Sequence, residues 1–165
     1  MRPLVRRLIQ FSIGSIGAAF LNLILIPITT YYLSPEEYGK TSMFLLAQTL
    51  LIYVIYLGFD QAFTREFYEY KDKHRLLGNA LIVPLVSAIF LIVGMVLFAP
   101  TISQLLFASS KYVGAVNLLA LSVIFLIFER FILLYIRMEN QALTFSMYTI
   151  LIKLAILIFT VLFLI

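Results

Sequence analysis

The longest uncharged stretches set the frame. Residues 8 to 35 carry no charged side chain, and neither do residues 76 to 110. A helix rises about 1.5 Å per residue and a hydrocarbon core is about 30 Å thick, so roughly 20 apolar residues cross it. The 165 residues are 63% hydrophobic and 12% charged. A soluble domain carries about 45–50% apolar and about 25% charged residues, so that class is excluded. The chain reads as an all-α, polytopic transmembrane bundle of five helices, near 8–32, 39–59, 77–98, 113–136 and 142–165. The uncharged run 76–110 is too long for one crossing, and Pro100 divides it. The piece that follows puts Ile102, Leu105 and Leu106 on one face, which predicts a short interfacial helix.

The opening MRPLVRR looks like the start of a signal peptide, but a cleavable apolar region is only about 7–15 residues long. The run after it is long enough to span, so it is read as an uncleaved first helix. Between the first two spans the chain turns at Leu33-Ser34-Pro35-Glu36-Glu37. Ser34 suits the N-cap, Pro35 the first helical position, and Glu37 completes a capping box, with Leu33 and Tyr38 placed as a hydrophobic staple. Orientation follows from the basic residues in short loops. Arg2, Arg6, Arg7, Arg65, Lys71, Lys73, Arg75 and Arg137 fall on one side, against Lys40 and Lys111 on the other. This places the N-terminus and the 61–75 segment in the cytoplasm and the hairpin outside, with Tyr31, Tyr32, Tyr38 and Tyr112 as an outer aromatic belt. The segment QAFTREFYEYKDKHR reads as the second helix continuing into the cytoplasm, with Arg65, Glu69 and Lys73 at i,i+4 spacing.

Three ionisable residues fall within the expected hydrocarbon depth: Glu129, Arg130 and Lys153. A charge there costs about 2.5–3.5 kcal/mol on insertion scales, which makes each a functional candidate. Lys153 lies about 20 Å of helix rise beyond Asn140, a little past the midplane. It is either a cation facing an anionic substrate group, half of a structural ion pair with Glu129, or a snorkelling side chain. Glu129 and Arg130 point about 100° apart on one helix and do not simply neutralise each other. Arg65 is either a gate residue at the cytoplasmic mouth or an ordinary positive-inside charge. Asn22, Gln48 and Asn117 are polar candidates for cavity lining or interhelical bonding, and Pro27 marks a kink and candidate hinge. Gly14 with Ala18, and Ser15 with Ala19, form small-xxx-small pairs suited to close helix packing. Pro84 and Gly94 allow the third helix to bend.

No acidic pair suited to acid/base work lies in the expected bilayer, and no HExxH, glycine-rich phosphate loop or metal-spaced histidine cluster occurs. With one histidine and no cysteine the chain is not read as an enzyme, and no cofactor or metal is expected. The net charge of +4 resides at segment ends, as topology requires, and does not point to nucleic acid.

Four pieces, in order, carry a resemblance: IPITTYYLSPEEYG, LGFDQAFTREFYE, ISQLLFASSKYVGAVNLLALS and LLYIRMENQALTFSMYTILIK. Together they resemble the N-terminal part of the polysaccharide transporter branch of the multidrug/oligosaccharidyl-lipid/polysaccharide exporter superfamily, the flippases for O-antigen and capsule repeat units. The resemblance covers essentially the whole chain and implies a partial N-terminal lobe of a transporter with twelve to fourteen helices. It implies a multi-pass protein of the cytoplasmic (inner) membrane. Its substrate would be an undecaprenyl-pyrophosphate-linked oligosaccharide, moved by alternating access through a cationic cavity to which Lys153, Arg130 and Arg65 belong. The remaining C-terminal helices of such a chain would be its partners, along with the bilayer. Two other readings stay open: a cation-coupled exporter of drugs or small solutes using Glu129, and a non-transporting five-helix scaffold.

Overall fold

The structure is a computed structural model describing residues 3–164, with side chains described from Ile9 onward. Arg2, of the cytoplasmic charge count, and Ile165, at the end of the fifth expected span, lie outside the described residues. Every regular element among the described residues is helical: α1 (Pro3–Tyr32), α2 (Pro35–Tyr56), α3 (Phe59–Glu66), α4 (Lys73–Leu97), α5 (Ala99–Phe107), α6 (Val113–Met138) and α7 (Ala142–Leu164). A 3-10 turn at Ser110–Tyr112 leads into α6. Five of the helices, α1, α2, α4, α6 and α7, are long and apolar enough to cross a membrane.

The hairpin between α1 and α2 is built as the capping chemistry requires. The Ser34 hydroxyl accepts from the Glu37 backbone N–H at 3.3 Å, while the Glu37 carboxylate accepts from the Ser34 N–H at 2.9 Å and from its hydroxyl at 2.7 Å. Two of the backbone donors at the helix start are thereby satisfied. Replacing Ser34 with alanine should lower the stability of the detergent-solubilised protein by about 1 kcal/mol. Unchanged thermal unfolding in that variant would show the box to be dispensable. Upstream, α1 runs unbroken through Pro27. The Thr29 hydroxyl donates to the Leu25 and Ile26 carbonyls, and Thr30 to Ile26 and Pro27.

The chain divides into two compact units, one made of α1 and α7, the other of Gly39–Tyr135. In the first, helices distant in sequence lie parallel, with Gly14 against Ser146 and Gly17 against Ile150. The Ser146 hydroxyl donates to the Gln10 carbonyl at 2.6 Å and accepts from the Gly14 N–H at 3.2 Å. Phe11 and Phe145 meet edge to face at 5.6 Å. Gly14 and Ala18 are the buried small pair; Ser15 and Ala19 are exposed, because they sit a quarter-turn away from the seam.

In the second unit α6 is the central element. Val116, Leu119, Ala120, Val123, Ile127, Phe131 and Leu134 form one buried stripe at spacings of three and four. Helix α2 lies parallel to α6, tied by Gln48 Nε2 donating to Ser122 Oγ (3.0 Å) and by the Tyr56 hydroxyl donating to the Leu126 carbonyl (3.1 Å). Gln48 is therefore interhelical glue, whereas Asn117 is exposed. Lipid is as apolar as leucine, so helix cohesion comes from close packing and such bonds, each worth on average about 0.6 kcal/mol in double-mutant cycles. Helix α5 does pack inward, through Ala99, Ile102, Leu106 and Phe107, with Ser103 buried among them; of the expected face, Leu105 instead is 81% exposed. Pro84 is buried within α4.

The second helix does not continue into the 61–75 segment. It stops at Tyr56, because Leu57 (φ 47°) and Gly58 (φ 82°) both take the left-handed conformation, which ends the α ladder. Glycine carries that conformation without a Cβ penalty. Helix α3 restarts at Phe59 and ends at Glu66. Glu69 thus lies in the following turn, and the expected i,i+4 ladder from Arg65 through Glu69 to Lys73 has no helix to stand on. Lys73 instead donates to the carbonyls of Phe67 and Tyr70, closing that turn, with Asp72 capping α4 through the Arg75 N–H.

Candidate functional site

The break at Leu57–Gly58 positions the most distinctive chemistry in the chain. Asp60, Phe63 and Phe67 share one face of the segment after the break at spacings of three and four. Phe63 is anchored edge to face on Phe131 (6.0 Å) and Phe67 on Tyr135 (5.8 Å). Tyr56 closes the cluster against Phe131 at 6.1 Å. Docking these rings on α6 brings Asp60, one turn earlier, to Arg130, the neighbour of Phe131. Arg130 Nη2 donates to Asp60 Oδ2 at 2.8 Å. The Asp60 side chain is only 11% exposed, the Arg130 side chain 50%. In the first turn of α3 the carboxylate also lies where the helix dipole favours negative charge.

The pair opens on a cleft of about 310 Å³ between α2 and α6, lined by Thr49, Tyr53, Tyr56, Asp60, Glu129 and Arg130 with apolar side chains around them. Tyr53 is 74% exposed. The hydroxyls are partly committed: Thr49 donates to the Leu45 carbonyl (2.8 Å) and Tyr56 to that of Leu126. The cleft therefore gathers two carboxylates, one guanidinium and the exposed Tyr53 ring along one lining.

Of the residues singled out in the sequence, Glu129 and Arg130 meet here. Arg65 is exposed on α3. Asn22 and Pro27 are exposed on α1, and Lys153 is half-buried on α7; all three belong to the other compact unit. Among the described residues Lys153 has no ionic partner on α1 or α7. Asp60 and the two tyrosines were not candidates. The signal for Asp60 was its place as the first charge after the uncharged run 41–59, two residues past Gly58.

A family model described as polysaccharide biosynthesis protein matches residues 4–165. The chain belongs to this family. No curated protein and no solved structure matches it. Membership together with five membrane-capable helices makes this a multi-pass membrane protein of transporter type with a role in polysaccharide synthesis or transport.

Proposed function

We propose that the chain belongs to a flippase that carries an undecaprenyl-pyrophosphate-linked oligosaccharide across the cytoplasmic membrane, N-terminus inside, for surface polysaccharide assembly. The observation that carries this reading is the family match along nearly the whole of a helical, membrane-capable chain. No covalent step is involved. Binding need only favour one of two access states over the other, so the substrate must make different contacts in each.

Within this reading Lys153 serves the pyrophosphate. It sits in the middle of α7, half-buried, and neither α1 nor α7 carries a carboxylate to neutralise it. An intramembrane cation without a local counter-charge is costly unless a cavity or a ligand solvates it. In the full-length protein, Lys153→Ala should abolish glycan export, and Lys153→Arg should retain part of it at equal membrane abundance. Normal export by the alanine variant removes Lys153 from the mechanism. The reading as a whole fails if deleting the protein leaves surface glycan unchanged and no lipid-linked oligosaccharide accumulates on the inner leaflet. Glu129, in the cleft beside the ion pair, marks the alternative of a cation-coupled exporter: loss of ion-coupled efflux of small solutes in Glu129→Gln favours that one.

A further inference from the structure

We propose that the cleft between α2 and α6 is a saccharide subsite, taking an uncharged or amino-bearing sugar residue of the substrate and rejecting its pyrophosphate. The substrate class rests on the flippase reading above; the choice of sugar over pyrophosphate rests on the cleft itself.

The charge count decides against an anion. The one guanidinium in the cleft already has its charge matched by Asp60 at 2.8 Å, and Asp60 is too buried to swing into water. Glu129 places a second carboxylate in the same lining. A pyrophosphate entering here would meet no unmatched cation among the lining side chains. The expectation of a cationic recess at Arg130 therefore does not describe this cleft.

The same groups suit a pyranose. A carboxylate oxygen accepts from a sugar hydroxyl, and the Arg130 N–H groups not taken by Asp60 donate to hydroxyl or ring oxygens; bonds to charged partners are the stronger ones. Asp60 also acts as a positioning residue, holding the guanidinium plane so that its remaining donors point into the cleft. The Tyr53 ring, 74% exposed, presents a flat apolar face for the C–H side of a sugar ring. A volume of about 310 Å³ is at the lower end for small-molecule sites, which fits one sugar residue rather than a repeat unit. With its one arginine already matched, the cleft also disfavours uronic acids. With the N-terminus inside, the cleft lies toward the cytoplasmic ends of α2 and α6, where substrate is loaded.

The test is saturation-transfer NMR on the full-length protein in nanodiscs. The probes are methyl glycosides of glucose, galactose, N-acetylglucosamine, galactosamine and glucuronate, with inorganic pyrophosphate as competitor. At least one neutral or amino glycoside should receive saturation that falls about fivefold or more in Tyr53→Ala and in Asp60→Asn. Glucuronate should receive none, and pyrophosphate should not displace the bound glycoside. Tyr53 is exposed, so its variant is expected to fold as the parent does, which thermal unfolding checks. Displacement by pyrophosphate, a signal indifferent to Tyr53, or silence across the panel each overturns the proposal. Tyr53-dependent binding in a protein whose deletion spares glycan export sinks the transport reading alone.

Discussion

Replacing Arg130 with alanine should lower the unfolding free energy of the detergent-solubilised protein by about 2 kcal/mol. The change strands the Asp60 carboxylate, whose side chain is only 11% exposed, without its 2.8 Å donor. Removing one member of a fully buried pair costs about 3–5 kcal/mol. Here Arg130 is half in solvent, and screening reduces the value toward that of a surface pair. Asp60→Asn should cost less, about 1 kcal/mol, because a neutral oxygen still accepts from the guanidinium. The double variant Asp60→Asn/Arg130→Ala should recover part of the loss, with a coupling of about 1 kcal/mol in a double-mutant cycle. Strictly additive costs would show that the two side chains contribute independently and that the pair does not hold α3 to α6.

The second large effect lies in the other unit. Gly14→Leu should remove most folded protein from the membrane fraction, and Gly14→Ala should destabilise by about 1–3 kcal/mol, the range for overpacking. A Cβ at Gly14 would stand 2.7 Å from Ser146 Cα and 2.8 Å from Ser146 Oγ. The nearer obstacle is backbone, so α1 and α7 must separate, which also breaks the Ser146 bonds to Gln10 and Gly14. Alanine's better helix propensity, about 1 kcal/mol, acts against this loss and does not outweigh it. Gly94→Ala is the control: nothing lies within 4 Å of its added methyl, so only the propensity gain remains. Equal unfolding temperatures for the alanine variants at 14 and 94 would refute the close seam. Such a result would place the cohesion of α1 and α7 in their aromatic and aliphatic contacts.

The features legible in the sequence are those with a local cause. Membrane-capable helices follow from the length of apolar runs, since a chain in lipid must satisfy its backbone internally and 20 residues suffice to cross. The Ser34–Glu37 box follows from residues three apart, and its bonds form as that spacing requires. The order of short motifs was enough for the family, which the match over residues 4–165 supports. The break at Gly58 was less legible: glycine permits the left-handed turn but does not demand it, and Glu69 and Lys73 were spaced as a helix would space them. Docking of Phe63 and Phe67 on α6 accompanies that break.

The site itself was decided only in three dimensions. Arg130 was visible as a buried-depth cation, yet its partner lies 70 residues away, in a segment read as ordinary helix continuation. No periodicity links Asp60 to Arg130; the link is the rotation of α3 that Phe63 and the capping Phe67 impose. Likewise Gly14 was visible as a small residue, but its counterpart Ser146 on α7 was not, because a small-residue pattern states what an approach permits and not what approaches. Charge-free length and cap spacing are properties of neighbours in the chain, and the sequence determined those. Which carboxylate balances which cation depends on side chains that only packing brings within 3 Å, so the tertiary structure alone decided that Arg130 is a matched charge.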